Sequence, residues 1–179
     1  MSKNILILSS SPRRGGNSDL LCDAFLRGAQ ESGNRVEKIF LADKKINYCN
    51  GCDICSHTGK PCPQKDDAAE VIDKMTRADV LVLATPVYFY AMSAQLKTLI
   101  DRCCGRYAEM GDKNFYLLAS AAEEGGELAQ HVFDNIQGFL DCLDNPVVKG
   151  KLLCGGVWHK GEIKGNQALK EAYEMGMSV

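Results

Sequence analysis

The chain has 179 residues, 45% of them hydrophobic and 25% charged, and a formal net charge of -2. These values are typical of one ordinary globular domain. A charge this small gives no sign of a nucleic-acid or membrane partner, and no apolar run is long enough to span a bilayer. The apolar stretch after Asn4 is too short for the core of a signal peptide, so we expect a cytoplasmic protein.

The chain alternates between strand-like and helix-like segments. Apolar or β-rich runs predict five strands, at residues 5–9, 35–41, 80–84, 115–120 and 151–158. Apolar positions at helical spacing predict a helix after each strand, the last over residues 167–175. Asp67, followed three residues later by Glu70, predicts a capping box at the start of the second of these helices.

Strands alternating with helices predict a parallel sheet with helices on both faces, an α/β three-layer sandwich. Five strands favour the flavodoxin-like order 2-1-3-4-5, in which a ligand lies beyond the carboxyl ends of strands one and three. The loops at those ends are residues 9–18 and 86–92. We expect one domain over residues 1–179, with a cysteine-rich insertion at about residues 42–66.

The first loop has the composition of a phosphate site. Its side chains offer hydroxyls (Ser11, Ser18), an amide (Asn17) and a planar cation (Arg13), and two glycines let the backbone curl around an anion. The loop leads into a helix, whose first amides lack partners and favour negative charge. Neither a G-x-G-x-x-G nor a Walker A pattern is present. The alternative is a polar connection that binds nothing.

Two further loops could complete a pocket. Residues 86–92 place Tyr88, Phe89 and Tyr90 directly after a buried strand, which suits a wall for a flat ring with backbone amides free to meet its polar edge. The alternative is a hydrophobic turn packed on the next helix. Residues 120–126 include Gly125, which permits close approach to a ligand or is only the entrance to a helix. A phosphate cradle opposite an aromatic loop favours FMN.

At this point the residues resemble a known family. Ser11-Pro12-Arg13 with Gly16-Asn17-Ser18, and Thr85-Pro86-Val87-Tyr88 with Lys97 and Asp101-Arg102 downstream, are similar to the flavodoxin-like NAD(P)H-dependent FMN reductases. The run of Cys49, Cys52, Cys55 and Cys62 resembles that of the family's iron–sulfur flavoprotein branch. The chain departs from the family at Ser10, where glycine is usual.

The resemblance implies FMN and NAD(P)H as ligands and a homodimer or homotetramer. The cofactor-binding residues expected from the loops and the resemblance together are Ser9, Ser11, Arg13, Asn17, Ser18, Pro86, Val87, Tyr88, Phe89, Ser120 and Gly125. No side chain is expected to be catalytic, because the chemistry belongs to the flavin.

The four clustered cysteines follow a C-x2-C-x2-C-x6-C spacing, which lets thiolates converge on one cluster. The resemblance implies a [4Fe–4S] cluster at Cys49, Cys52, Cys55 and Cys62. A zinc site or simply reduced or paired thiols are alternatives that the sequence leaves open.

The predicted function is an FMN-dependent oxidoreductase that accepts hydride from NAD(P)H. Its electrons would pass to a quinone, a nitro or azo compound, free flavin or a protein acceptor. One alternative is a non-enzymatic electron carrier holding FMN with or without a cluster. Another is a redox or metal sensor built on the cysteine loop.

Overall fold

Five strands form one sheet: β1 (Asn4–Ser9), β2 (Arg35–Phe40), β3 (Val80–Pro86), β4 (Asn114–Ser120) and β5 (Val147–Cys154). The computed structural model describes residues 2–179. All neighbouring strands are parallel, and their order is β2-β1-β3-β4-β5. The predicted flavodoxin-like α/β topology is confirmed.

In residues 2–179, six α-helices accompany the sheet: α1 (Asn17–Glu31), α2 (Ile54–Thr58), α3 (Ala68–Arg77), α4 (Ala94–Arg102), α5 (Gly126–Leu140) and α6 (Gln167–Met177). Side chains of β1 alternate between two cores, as the pleat requires. Ile5 and Ile7 pack with α1 and α6, whereas Leu6 and Leu8 pack with α3, α4 and α5. Helices therefore cover both faces. None of the helices described for residues 2–179 is long and apolar enough to cross a membrane.

The structure corrects three local predictions. Strand β5 runs from Val147 to Cys154 instead of over residues 151–158, because its first half is a partly exposed edge that lacks an apolar run. The side chain of Asp67 does not cap α3; its carboxylate accepts the Lys45 N–H at 2.7 Å. The cysteine-rich insertion at residues 42–66, for which no helix is predicted, contains the short helix α2.

Helices α1 and α6 touch backbone to backbone through two glycines. A Cβ added at Gly28 would lie 2.1 Å from the Tyr173 carbonyl oxygen, and one at Gly176 would lie 2.2 Å from the Phe25 carbonyl oxygen. Both distances are far inside van der Waals contact, and backbone atoms cannot rotate away. The absence of side chains at these two positions sets the helix separation.

Gly28→Ala is expected to lower the free energy of unfolding by about 2–3 kcal/mol, because the new methyl group forces α1 and α6 apart. The measurement is urea denaturation followed by circular dichroism. Gly138→Ala in α5 is the matched control: a Cβ there meets nothing within 4 Å, and alanine stabilises a helix by up to about 1 kcal/mol. Equal destabilisation by the two substitutions would contradict the assigned contact.

Candidate functional site

A cavity opens at the carboxyl edge of the sheet, where the chain leaves β1 and β3 toward opposite faces. Its enclosed space is about 140 Å³, and about 590 Å³ when the open mouth and adjoining solvent are counted. Four loops line it, contributing Ser11, Arg13, Gly16, Asn17 and Ser18 after β1, Pro86, Val87 and Tyr88 after β3, Ser120, Ala121 and Ala122 after β4, and Val157, Trp158 and Lys160 after β5.

The end of the cavity beside α1 is shaped to accept an anion. Ser18 is 1% exposed, and its hydroxyl is one of two buried polar side-chain groups in residues 2–179 that have no hydrogen-bond partner. A Cβ on Gly16 would lie 2.8 Å from both the Ser11 hydroxyl and the Arg13 carbonyl oxygen. The N-terminal amides of a helix favour negative charge. A free hydroxyl beside them, in a cradle that only glycine permits, fits a phosphate.

The two arginines of the first loop have different surroundings. Arg13 lines the cavity, and its Nη1 lies 3.4 Å from the Trp158 carbonyl oxygen. Arg14 forms an ion pair with Asp43, and its guanidinium lies 4.5 Å above the Phe40 ring. Only the first of these two cations therefore faces the cavity.

Three residues expected at the cofactor have polar atoms that bond within the protein. The Ser11 hydroxyl donates to the Arg13 carbonyl oxygen at 3.0 Å and accepts the Arg13 amide at 3.1 Å. The Asn17 amide donates to the carbonyl oxygens of Val157 and His159, at 3.3 and 3.0 Å, so it secures the loop after β5. Ser9 is fully buried below the cavity, and its hydroxyl donates to Asp19 at 2.7 Å. Asn17 lines the cavity and Ser9 does not.

The opposite end of the cavity is largely apolar. Pro86, Val87 and Tyr88 line it together with Ala121 and Ala122, and the two segments are neighbours because Pro86 pairs with Ser120 in the sheet. The amides of Val87 and Tyr88 donate to the carbonyl oxygens of Ser120 and Ala91, at 2.8 and 3.0 Å. The expectation that the amides of this loop are free to meet a ligand is thus wrong for these two.

Phe89 and Tyr90 form the tip of a tight turn beside the cavity. Their φ angles are 49° and 63°, a conformation that costs roughly 1–2 kcal/mol per residue outside glycine. The Phe89 side chain is fully exposed. It borders a neighbouring depression with Trp158 and Glu123 and is not part of the cavity lining. Gly125 is exposed and also lies outside that lining.

Sequence reasoning missed the loop after β5. Trp158 is 69% exposed at the cavity rim, and the Lys160 Cε lies 3.6 Å from the position of a Cβ on Gly15. The Glu162 carboxylate accepts the amides of Trp158 and His159, at 2.7 and 2.8 Å, which shapes the loop. These backbone hydrogen bonds lower the pKa of Glu162. The convergence of parallel strand ends would have revealed this loop had β5 been predicted to end at Cys154.

The four cysteines of the cysteine-rich segment do not lie together as metal ligands in the described residues. Cys49, Cys52 and Cys62 are exposed and Cys55 is partly buried. Within residues 2–179, no three His, Cys, Asp or Glu side chains converge as metal ligands. The arrangement therefore does not fit a cluster held by all four thiolates.

A buried ion pair anchors the end of this segment. Arg102 contacts both carboxylate oxygens of Asp66, at 2.6 and 3.1 Å, and also donates to the Asn47 carbonyl oxygen. Its Nη2 lies 3.4 Å from the Cys62 sulfur. Although burial alone would raise it, the contact with Arg102 lowers the pKa of Asp66. The pair joins the cysteine-rich segment to α4.

The chain matches the model of the NADPH-dependent FMN reductase family over residues 3–152. It is 30% identical to an iron-sulfur flavoprotein of Methanosarcina thermophila, over 94% of this chain and 85% of that protein. It is 47% identical to an iron-sulfur flavoprotein of Methanocaldococcus jannaschii over 55% of this chain, a match that spans only 50% of that relative.

Solved structures share the fold. A NAD(P)H:quinone oxidoreductase from Methanothermobacter marburgensis superposes with a TM-score of 0.76 at 22% identity, covering 99% of this chain and 96% of that one. An azoreductase from Bacillus anthracis gives 0.74 at 18% identity, with full coverage of both chains. The chain belongs to the NADPH-dependent FMN reductase family and resembles its iron–sulfur flavoproteins.

Arg102→Met is expected to lower the free energy of unfolding by about 3–5 kcal/mol, because it leaves the Asp66 carboxylate buried without its counter-ion. Urea denaturation provides the measurement. Lys97→Met in the same helix is the control: it breaks an exposed pair with Asp101, worth at most about 1 kcal/mol. A similar loss in both variants would show that the buried pair does not anchor the segment.

Proposed function

We propose that the chain is a single FMN-binding domain that oxidises NAD(P)H and passes the electrons to a second acceptor. The observation that carries this proposal is the unpartnered Ser18 hydroxyl at the α1 end of a cavity whose other end is apolar. A phosphorylated cofactor with a flat head matches both ends. FMN is the ligand of this shape that the family implies.

In this proposal the phosphate is held by Ser18 and the first amides of α1, and by the Ser11 hydroxyl once it turns away from the Arg13 carbonyl oxygen. Arg13 and Lys160 face the same end of the cavity from two loops and supply positive charge, since a charge-assisted hydrogen bond to phosphate is about twice as strong as a neutral one. Asn17 contributes indirectly, because its amide holds the loop that carries Lys160.

The flat ring is assigned to the apolar end, between Pro86 to Tyr88 and Ser120 to Ala122. These walls exclude water from one side of a ring and orient it by contact. When bound, FMN supplies the redox chemistry by taking hydride from a nicotinamide and reducing an acceptor. The protein needs no acid or base for that exchange, which agrees with the lack of an obvious catalytic pair in the sequence.

The acceptor is proposed to be a flat conjugated compound such as a quinone or an azo compound. Phe89 and Trp158 border a depression that adjoins the cavity, and exposed aromatic side chains favour stacking with planar molecules. The names of the quinone oxidoreductase and azoreductase with the same fold support this choice. A protein acceptor is the alternative.

Arg13→Ala is expected to weaken FMN binding by about ten- to a hundredfold, the value of one or two charge-assisted hydrogen bonds. Lys160→Met should act in the same direction. Quenching of flavin fluorescence on binding provides the measurement. Arg14→Ala is the matched control, since that arginine pairs with Asp43 outside the cavity. Unchanged FMN affinity in Arg13→Ala would refute the phosphate assignment.

Steady-state oxidation of NADH and NADPH separates a reductase from an electron carrier. The reductase consumes reduced nicotinamide in the presence of FMN and a quinone or azo dye, and the rate saturates with nicotinamide. A carrier has no nicotinamide site, so the absence of turnover with every dye would favour the carrier over the enzyme.

We also propose that the cysteine loop can take up a cluster after it rearranges. The spacing of Cys49, Cys52, Cys55 and Cys62 and the names of the iron–sulfur relatives support this. Anaerobically purified protein should then contain about four iron and four sulfide per chain, and Cys62→Ser should reduce both. Protein that lacks iron but binds FMN normally would contradict the proposed cluster and support a reductase that uses flavin alone.

The exposed aromatic rim supports a homodimer or homotetramer. Tyr88, Phe89, Tyr90 and Trp158 lie on the same edge of the domain, and monomers rarely expose large apolar patches without a partner. We propose that a second copy covers part of this edge. Light scattering in solution determines the number of chains.

A further inference from the structure

Asp19 lies in the first turn of α1, directly below the phosphate end of the cavity. Its side chain is almost fully buried, at 2% exposure, and it does not line the cavity. One carboxylate oxygen accepts the Ser9 hydroxyl at 2.7 Å and contacts the Lys38 Nζ at 2.7 Å. The other accepts the Gly15 amide at 2.8 Å. A single side chain thus connects β1, β2 and the first loop.

A buried carboxylate beside an anion site is unfavourable unless its charge is compensated. Lys38, itself largely buried, provides that compensation and also contacts the more exposed Asp23. Burial alone would raise the pKa of Asp19, but hydrogen bonds from Lys38, Gly15 and Ser9 lower it. The carboxylate is therefore ionised at neutral pH and paired.

The hydrogen bond to Gly15 fixes the turn that forms the cradle. Gly15 adopts a φ of 68°, a left-handed conformation that other residues rarely take. Gly16 follows with its amide bonded to the Arg13 carbonyl oxygen at 2.8 Å. Loss of the Asp19 contact would release this turn, and the Ser18 hydroxyl and the helix amides would no longer face a cavity of fixed shape.

We infer that Asp19 is a positioning residue for the phosphate cradle and that it sets the preference for a phosphorylated flavin over riboflavin. This inference rests on the proposed function. Asp19 acts through the backbone of Gly15 and does not touch the ligand. Lys38 cancels its charge, so that the buried carboxylate shapes the cradle without repelling the phosphate.

The test compares Asp19→Asn with Asp23→Asn. Both substitutions remove one negative charge that contacts Lys38, but only Asp19 bonds to the loop. The single oxygen of an asparagine cannot accept from both Lys38 and the Gly15 amide. We therefore expect Asp19→Asn to weaken FMN binding about tenfold, the value of one positioning hydrogen bond, with riboflavin affinity unchanged. Asp23→Asn should not weaken the binding of either flavin. The dissociation constants are measured by fluorescence titration.

A merely structural role predicts a different result. Asp19→Asn would then lower the melting temperature while the ratio of FMN to riboflavin affinity stayed at the parent value, and that outcome overturns the inference. Tighter FMN binding in both variants would also overturn it, because it would mean that charge alone governs the site. If Asp19→Asn does not fold, Ser9→Ala provides the test of the inference. This substitution removes one hydrogen-bond donor to the Asp19 carboxylate and should weaken FMN binding about threefold, with riboflavin affinity unchanged.

The parent protein separates this inference from the proposed function. A parent that binds FMN no more tightly than riboflavin overturns the phosphate assignment and the inference with it. A parent that prefers FMN, together with Asp19→Asn and Ser9→Ala variants that prefer it equally, overturns the inference alone.

Discussion

The site depends on the amino-terminal end of α1, whose first amides have no partner within the helix. This end lies where the chain leaves β1 and β3 toward opposite faces of the sheet. A parallel sheet brings the carboxyl ends of its strands to one edge, and the order β2-β1-β3 sends the connections of β1 and β3 to opposite faces. The resulting crevice has a helix N-terminus at one end. The buried Ser18 hydroxyl, left without a partner inside the protein, adds a donor at the same place.

The neighbouring residues keep that end of the helix open. Gly16 leaves space that a side chain would fill, while Asp19 holds the preceding turn from below. Placing an ionised carboxylate beneath an anion site requires the counter-ion that Lys38 provides. Stability and the proposed binding are therefore linked here, because the carboxylate that Lys38 compensates is the one that bonds to the turn of the cradle.

The fold could be predicted from the sequence because every strand in its interior is a short apolar run followed by a helix. Ser11 and Pro86 could be located for the same reason, since they lie at the carboxyl ends of such strands, and Ser18 because it begins the helix that follows. Strand β5 was harder. Its first half alternates between exposed and partly buried residues, so the sequence places its end four residues too late. Trp158 is then assigned to the strand, and Lys160 to the connection after it, instead of to the cavity rim.

Other features depend on contacts that no local pattern reveals. The amide of Asn17 bonds to residues about 140 positions away, so its role in holding the loop after β5 needs the folded chain. The same is true of Arg102, whose partner Asp66 lies 36 residues earlier. The cysteine spacing indicates which thiols could share a cluster, but the spacing alone does not determine how a largely exposed segment folds.

The most direct test of the central claim is an amide chemical-shift map recorded while FMN, and separately inorganic phosphate, is added to the protein. FMN is expected to shift the amide resonances of residues 11–18 together with those of the loops at residues 86–88, 120–122 and 157–160. Inorganic phosphate is expected to shift mainly those of residues 11–18. Shifts that leave residues 11–18 unchanged in both titrations would contradict a phosphate site at the start of α1.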